Sequence, residues 1–313
     1  MRFSVIIATY NRVSSLELLL SSIAESFGRS RIDHEIIVVN NSRDPSVEMR
    51  INEVVKTFQR DGGERFRLVR EPRAGKCTAQ NAAISVARGE ILAFFDDDIV
   101  VTPDWLSVAS DFFKQNTFDA MQGPILVPPE LQTNQELLIA QYKFRTINFV
   151  QYRPHMKEIK TLTGANMAIR REVFAKIGLF NERLGPGRSG ISEDVEFAHR
   201  LVESGRRIGY EPKAAVYHEV DWSRLTEEFF RQRHEQQGRS RLIFKRQSLV
   251  TILPNFMRSI FAFGWYSCSG NVRKKYRAKG RFFHYRAMLV EKMKRSREQP
   301  ALSGDFTSPP SMT

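Results

Sequence analysis

Through its first 120 residues the chain repeats one theme, a short apolar run followed by a helical pattern, and that alternation admits few architectures. FSVIIA at 3–8 reads as a strand, and Leu16, Leu19, Leu20 and Ile23 then fall on one helical face. EIIVVN at 35–40 is a second strand, a polar helix follows, and RFRLVR at 65–70 is a third. Residues 77–87 read as a helix stopped by Gly89, and ILAFF at 91–95, apolar throughout, is a strand buried on both faces. Thr102 is expected to cap a further helix with Pro103 at its first position. This is the order of stacked βαβ units around a largely parallel sheet, an α/β fold class.

The second half is less regular. Pro128, Pro129 and Pro154 break a stretch that holds a helix-like run at 135–145, and TGANMAIRREVFAKIGLF then predicts a short strand and a helix. SEDVEFAHRLVESG predicts another helix, with Ser192 as cap, acids in the first turn and Gly205 past its end. AAVYH at 214–218 reads as one more strand. Beyond Trp222 the chain is basic and aromatic, and from Gln299 it is rich in Ser and Pro, the composition of a disordered tail.

At 313 residues and 42% hydrophobic the chain has enough apolar material for a sizeable core. Cys77 and Cys268 have no CxxC spacing, which points away from a disulfide framework or a thiolate metal site and towards a reducing, cytoplasmic compartment. The opening MRFSVIIATYNR lacks the apolar core and small-residue cleavage site of a signal peptide and reads as the first strand. Charge is uneven. From Asp221 onwards 19 Lys and Arg stand against 7 Asp and Glu, so +12 of the formal +13 lies there. A basic arm of this kind suits an anionic membrane surface or a nucleic acid, and otherwise is an ordinary solvated tail.

Ligands of doubly wound sheets sit at the carboxyl ends of the strands. The residues there are Thr9-Tyr10-Asn11-Arg12, Asn40-Asn41-Ser42 and Asp96-Asp97-Asp98, and none belongs to a Gly-rich phosphate loop. Any nucleotide bound here needs another source of positive charge. Three consecutive aspartates after a buried strand repel one another unless a cation binds, and carboxylate oxygens suit Mg²⁺ or Mn²⁺. Alternation along an extended segment places Asp96 and Asp98 on one side and Asp97 on the other. A helix-capping role would account for Asp98 or Asp104 but not for the run.

The segments SVIIATYNR, VVNNS, AGKCTAQNAAISVARGEILAFFDDD, TPDWL, TGANMAIRREVFAKIGLFNERLG and SEDVEFAHR, in that order, resemble glycosyltransferase family 2 over about seventy per cent of the chain. The resemblance implies a GT-A fold, Rossmann-like with a mostly parallel sheet, a nucleoside-diphosphate sugar donor and an inverting transfer. Its residues carry over as metal ligands Asp96 and Asp98, with Asp97 near the donor ribose or sugar and Thr9, Tyr10, Asn11, Arg12 and Asn40 along the nucleoside. Asn40 departs from the usual Asp, although an amide still offers a donor and an acceptor to a base edge. Lys76 falls near the donor diphosphate. The catalytic base falls on Asp194, with Glu193 beside it orienting the acceptor; helix physics by itself would read both acids as complements to the helix dipole. His218 matches a histidine that completes the metal shell in some members, tilting preference towards Mn²⁺. Gly164 and Asn166 match the acceptor side, and Arg200 a helical arginine.

The resemblance implies a catalytic domain over 1–222, with a donor half at 1–120 and an acceptor half at 121–222, then a basic helical arm at 223–298 and a tail at 299–313. Processive members carry QxxRW, whereas Gln236-Gln237-Gly238-Arg239-Ser240 has Ser in place of Trp, which implies transfer of a single sugar. The apolar run at 249–265 is interrupted by Pro254 and Arg258 and is shorter than the ~20 residues of a bilayer span. Beside Arg273, Lys274 and Lys275 it suits an interfacial anchor, or else a core helix packed on the catalytic domain. The expected partners are therefore a nucleotide sugar, a glycan or lipid-linked acceptor and the anionic inner face of the cell membrane, with no nucleic acid. Two other readings stay open. A metal-dependent nucleotidyltransferase would leave Glu193 and Asp194 unexplained, and a nucleic-acid-binding protein would lack any RRM, KH or zinc signature.

Overall fold

The computed structural model describes residues 1–298 apart from 29, 116, 148 and 154, and the side chains only as far as 295. The tail from Gln299 and the break at Pro154 lie outside the described residues. Among the described residues two compact units are present, one of Met1–Arg233 and one from His234 onwards, so the first runs past the Trp222 boundary read from the sequence.

In the first unit β1 (Phe3–Thr9), α1 (Val13–Gly28), β2 (His34–Asn40), α2 (Pro45–Gly62), β3 (Phe66–Arg70), α3 (Lys76–Val86) and β4 (Ile91–Asp96) follow in the expected order. Nearly every residue of β1, β2 and β4 is buried, because helices cover both faces of the sheet; this is why these strands read as unbroken apolar runs instead of alternating. After β4 come β5 (Ile99–Val101), α4 (Trp105–Gln115), β6 (Ala120–Gln122), β7 (Ile125–Leu126) and α5 (Gln135–Phe144). Then β8 (Glu158–Ile159), β9 (Asn166–Arg170), α6 (Arg171–Ile177), α7 (Glu193–Glu203), β10 (Ile208–Tyr210) and β11 (Val216–His218) complete the sheets.

The large sheet runs β3-β2-β1-β4-β9-β6-β10-β8. Its first four strands are parallel, and β9 is antiparallel to both β4 and β6, an insertion with no local signal in the sequence. β1 pairs with β2 on one side and β4 on the other, so the chain changes direction across the sheet there, and the carboxyl ends Thr9 and Asp96 border the crevice where such folds take ligands. A second sheet, β5-β11-β7, packs beside it and pairs Ile99 with His218.

Two local expectations are corrected. α4 begins at Trp105, beyond Pro103: the Thr102 hydroxyl donates to Ala215 O at 2.8 Å, so it ties β5 to β11 instead of capping the helix. Ser192 does not cap α7, because its backbone lies in the left-handed region (φ 81°) and its side chain makes no capping bond. The loop before it, with Gly185, Gly187 and Gly190 all at positive φ, sets that conformation.

In the second unit α9 (Leu249–Cys268) packs against α10 (Val272–Glu298); α8 (Glu227–Phe244) begins in the first unit and ends in the second. Pro254 does not interrupt α9. It removes the bond to the Val250 carbonyl in an exposed turn, and Ser248 caps the helix by accepting from Thr251 N at 3.2 Å.

Candidate active site

The buried strand β4 delivers Asp96 to the edge of the crevice, and the tight turn to β5 then sends the next two carboxylates in different directions. Asp97 turns towards β1. It accepts from the Thr9 hydroxyl at 2.8 Å and from Arg12 at 3.2 Å. Burial, with the neighbouring charge of Asp98, pushes its carboxyl up to about 6, although Arg12 offsets part of the effect. Asp98 points towards β11. The pairing of Ile99 with His218, reinforced by Glu219 N donating to Asp98 O at 2.9 Å, brings a histidine from far along the sequence against the acidic turn.

Asp96, Asp98 and His218 each offer an atom within 4.8 Å of the others, among the described residues the group arranged to hold a metal ion. His218 is buried, and its Nδ1 lies 2.7 Å from Glu219 O, so Nδ1 carries the proton and donates it. The other ring nitrogen, Nε2, faces Asp98 Oδ1 at 3.5 Å. Asp98 Oδ1 is itself buried with no hydrogen-bond donor. A buried carboxylate oxygen without a donor, grouped with ligand atoms of Asp96 and His218, is unfavourable unless a cation stands beside it, so the residues fit a divalent ion. Asp97 and Asp98 lie in the turn after β4, where strand alternation does not apply, and both pair with Arg12, so the turn sets their directions.

Lys76, the first residue of α3, joins this centre to the acids of α7. Its ammonium pairs with Asp96 and lies 3.5 Å from Glu193 Oε1. Burial opposes that charge, but Asp96 and Glu193 outweigh it and hold the ammonium well above the usual lysine range. The same lysine pulls the Asp96 carboxyl below its usual range despite burial. Gly164 makes room: a Cβ there would stand 3.2 Å from Lys76 Nζ, and its N–H donates to Asp194 Oδ2 at 3.0 Å. Burial raises both Glu193 and Asp194; the charges of Asp194 and Asp96 add to the rise at Glu193, and that of Asp96 at Asp194, while Lys76 opposes both. Asp194 Oδ1 also accepts from Val195 N at 2.7 Å, so the carboxylate is held at both oxygens.

Other predicted residues are placed differently. Asn40 is buried with its amide engaged: Nδ2 donates to Glu48 O and Asn52 Oδ1, and Oδ1 accepts from Ser42 N. It shapes the end of β2 through these bonds. Asn166 is likewise enclosed, donating to Pro124 O and Ala214 O and accepting from Trp105 Nε1 at 2.9 Å. Tyr10 and Asn11 are exposed at the end of β1. Arg200 donates to the carbonyls of Ile177 and Leu179 and to Glu196, tying α7 to the end of α6. Sequence reasoning missed Arg224, 4.0 Å from Asp98, and Arg233, a half-buried arginine of α8 within electrostatic reach of Asp194 and Glu193. Neither carries a local signal apart from the basic excess of the region.

A mostly parallel sheet with an acidic turn at its change of direction, a histidine from a small second sheet beside that turn and a pair of acids heading a helix define a GT-A type α/β protein. Residues 4–178, more than half of the chain, match the family model described as glycosyl transferase family 2. The chain belongs to that family. It is 25% identical to a glucosyl-dolichyl phosphate glucuronosyltransferase of Haloferax volcanii over 47% of its length, an alignment that spans about half (53%) of that relative. It is also 25% identical to the succinoglycan biosynthesis protein ExoM of Rhizobium meliloti, over 75% of this chain and 72% of the other. Its fold is similar to that of a mannosyltransferase from Pyrobaculum calidifontis solved with GDP-mannose and Mn²⁺ (TM-score 0.60, 17% identity, 93% of this chain and 86% of that one).

Proposed function

We propose that this protein transfers a single sugar, with inversion, from a nucleoside-diphosphate sugar to a hydroxyl of a glycan or lipid-linked acceptor, in polysaccharide or glycolipid synthesis. The observation that carries this reading is the continuity of the site: Asp98 and His218 face one another across a pocket shared with Asp96, Asp96 pairs with Lys76, and Lys76 reaches Glu193 beside Asp194. Asp194 is the base. Its carboxylate, held by Gly164 and Val195, takes the proton of the acceptor hydroxyl while that oxygen attacks the anomeric carbon from the face opposite the departing diphosphate. Glu193 orients the acceptor. Asp96, Asp98 and His218 would hold the divalent ion, and the imidazole favours Mn²⁺; when bound, the ion neutralises charge on the leaving diphosphate. Arg12 beside Asp98 and Lys76 beside Asp96 place fixed positive charge at these carboxylates, which answers the lack of a Gly-rich phosphate loop. Gly164 lines the acceptor side, whereas the engaged amides of Asn40 and Asn166 support the walls. The edge of β1 from Thr9 to Arg12 is then the surface for a nucleoside, whether of a UDP-sugar, another pyrimidine donor or a GDP-sugar.

The basic arm supports work at the inner face of the cell membrane, where a lipid-linked acceptor would be presented. The test is incubation of the purified chain with a panel of nucleotide sugars and Mn²⁺, scored by release of nucleoside diphosphate and by the anomeric configuration of the product. Release of nucleoside diphosphate with an inverted product is expected. Release of sugar 1-phosphate, with the nucleoside monophosphate transferred, would instead identify a nucleotidyltransferase, and a retained configuration would remove Asp194 from the role of base.

A further inference from the structure

α9 has apolar residues on two opposite faces. One packs within its unit: Ile252 and Ser259 are buried, and Phe256 stacks on Phe282 of α10 with ring centres 5.5 Å apart. The other is open. Val250, Leu253, Met257, Phe261 and Trp265 follow one another at three- and four-residue spacing and are 83, 53, 42, 71 and 73% exposed. They form a stripe about 22 Å long at the helical rise of roughly 1.5 Å per residue. Soluble surfaces leave large apolar side chains exposed singly; a continuous stripe marks a surface that something covers.

The charge of the neighbouring helix says what covers it. From 272 to 290, α10 has seven Lys and Arg and no Asp or Glu, and Arg273, Lys274, Arg277 and Arg281 are exposed. Pairing of two copies through the stripe would be isologous and would bring two such arms together against their mutual repulsion. A nucleic acid would answer the charge but has no use for the stripe. An anionic lipid surface answers both, with acyl chains for the apolar residues and headgroups for the cations. No described helix is long and apolar enough to cross a membrane, so the helix would lie in the interface.

We infer that α9 lies in the plane of an anionic membrane surface with Val250, Phe261 and Trp265 set into the boundary between headgroups and acyl chains, and that the acid-free stretch of α10 pairs with the headgroups. This rests on the membrane location proposed above and is independent of the sugar chemistry. The test uses the full chain with vesicles of phosphatidylcholine, or of phosphatidylcholine with phosphatidylglycerol, followed by sedimentation and tryptophan emission. Pelleting with the anionic vesicles is expected, weakening as salt rises, with a blue shift that the Trp265→Phe chain lacks although Trp222 is still present. Combined Val250→Ser, Phe261→Ser and Trp265→Ser should lower partitioning by at least about 10²-fold. Combined Arg273→Gln, Lys274→Gln and Arg277→Gln should lower it by about 10²-fold at low salt. Neither set should move the thermal midpoint, because all six side chains are exposed. Undiminished pelleting of the serine variant, with no blue shift of the parent chain on binding, would overturn the inserted face while leaving charge-driven membrane binding intact. Failure of the parent chain to pellet under any condition would overturn both. A lipid-free dimer that the serine variant abolishes would assign the stripe to a second copy.

Discussion

At the scale of single residues, Asp98 has the most specific surroundings, because one of its buried oxygens faces an imidazole nitrogen and has no donor of its own. Asp98→Asn should abolish measurable Mn²⁺ binding by calorimetry and lower turnover by about 10²-fold or more, with the melting temperature kept. Unchanged Mn²⁺ affinity would remove the residue from the metal centre. Asp194→Asn should lower kcat by about 10²–10⁴-fold while donor affinity in the presence of metal is retained. The pH dependence follows from the direction of its shift. Burial, with a smaller contribution from Asp96, raises the Asp194 carboxyl, and a base must be deprotonated to act, so kcat/KM is full above that raised value and is lost as pH falls through it. The acidic limb should therefore lie clearly above the ordinary aspartate value of about 3.9. A limb at that ordinary value would contradict a buried base.

At the scale of elements, α7 is positioned by tertiary contacts more than by its own cap. Arg200 holds the carbonyls that end α6 and also pairs with the buried Glu196. Arg200→Leu leaves all of them without a donor and should destabilise the protein by roughly 2–4 kcal/mol, allowing for the partial exposure of the guanidinium. Chemical denaturation measures this, and a loss below about 0.5 kcal/mol would show that water replaces the arginine. The loop leading into α7 depends on glycine in a different way. Gly187 lies at φ 81°, and a Cβ there would stand 3.1 Å from Gly75 Cα, just where Lys76 N donates to Pro186 O. Gly187→Ala should cost about 1–3 kcal/mol and loosen the first turn of α3, which presents Lys76.

At the scale of the whole molecule, the first compact unit extends beyond the boundary that sequence motifs suggest. Phe230 is buried with its ring 5.9 Å from that of Phe144, and the Arg224 carbonyl accepts from Thr146, so a chain ended at Trp222 would uncover an apolar surface and leave a buried hydroxyl without a partner. A chain ended after Phe244, at the end of α8, keeps these contacts and Arg233. The shorter chain should aggregate, whereas the longer one should be recovered in soluble form and bind Mn²⁺. Equal solubility of the two would place the boundary at Trp222 after all.

The sequence by itself determined those features that local physics governs. Apolar runs of strand length identified β1, β2 and β4, because strands covered on both faces need no alternation, and like charge at a strand end marked Asp96, Asp97 and Asp98 for a cation. The order of motifs pointed to Glu193 and Asp194. What only the tertiary structure decided depends on pairings between distant segments: β9 inserted between β4 and β6, and β11 laid against β5 so that His218 meets Asp98. It also decided where polar groups find their partners. The amides of Asn40 and Asn166 are taken up internally, Lys76 bridges two acidic groups, and the left-handed turn at Ser192 overrides its capping preference. Hydrophobic period and capping chemistry are written into neighbouring residues, whereas strand partners and the burial of a polar side chain exist only once the whole chain has packed.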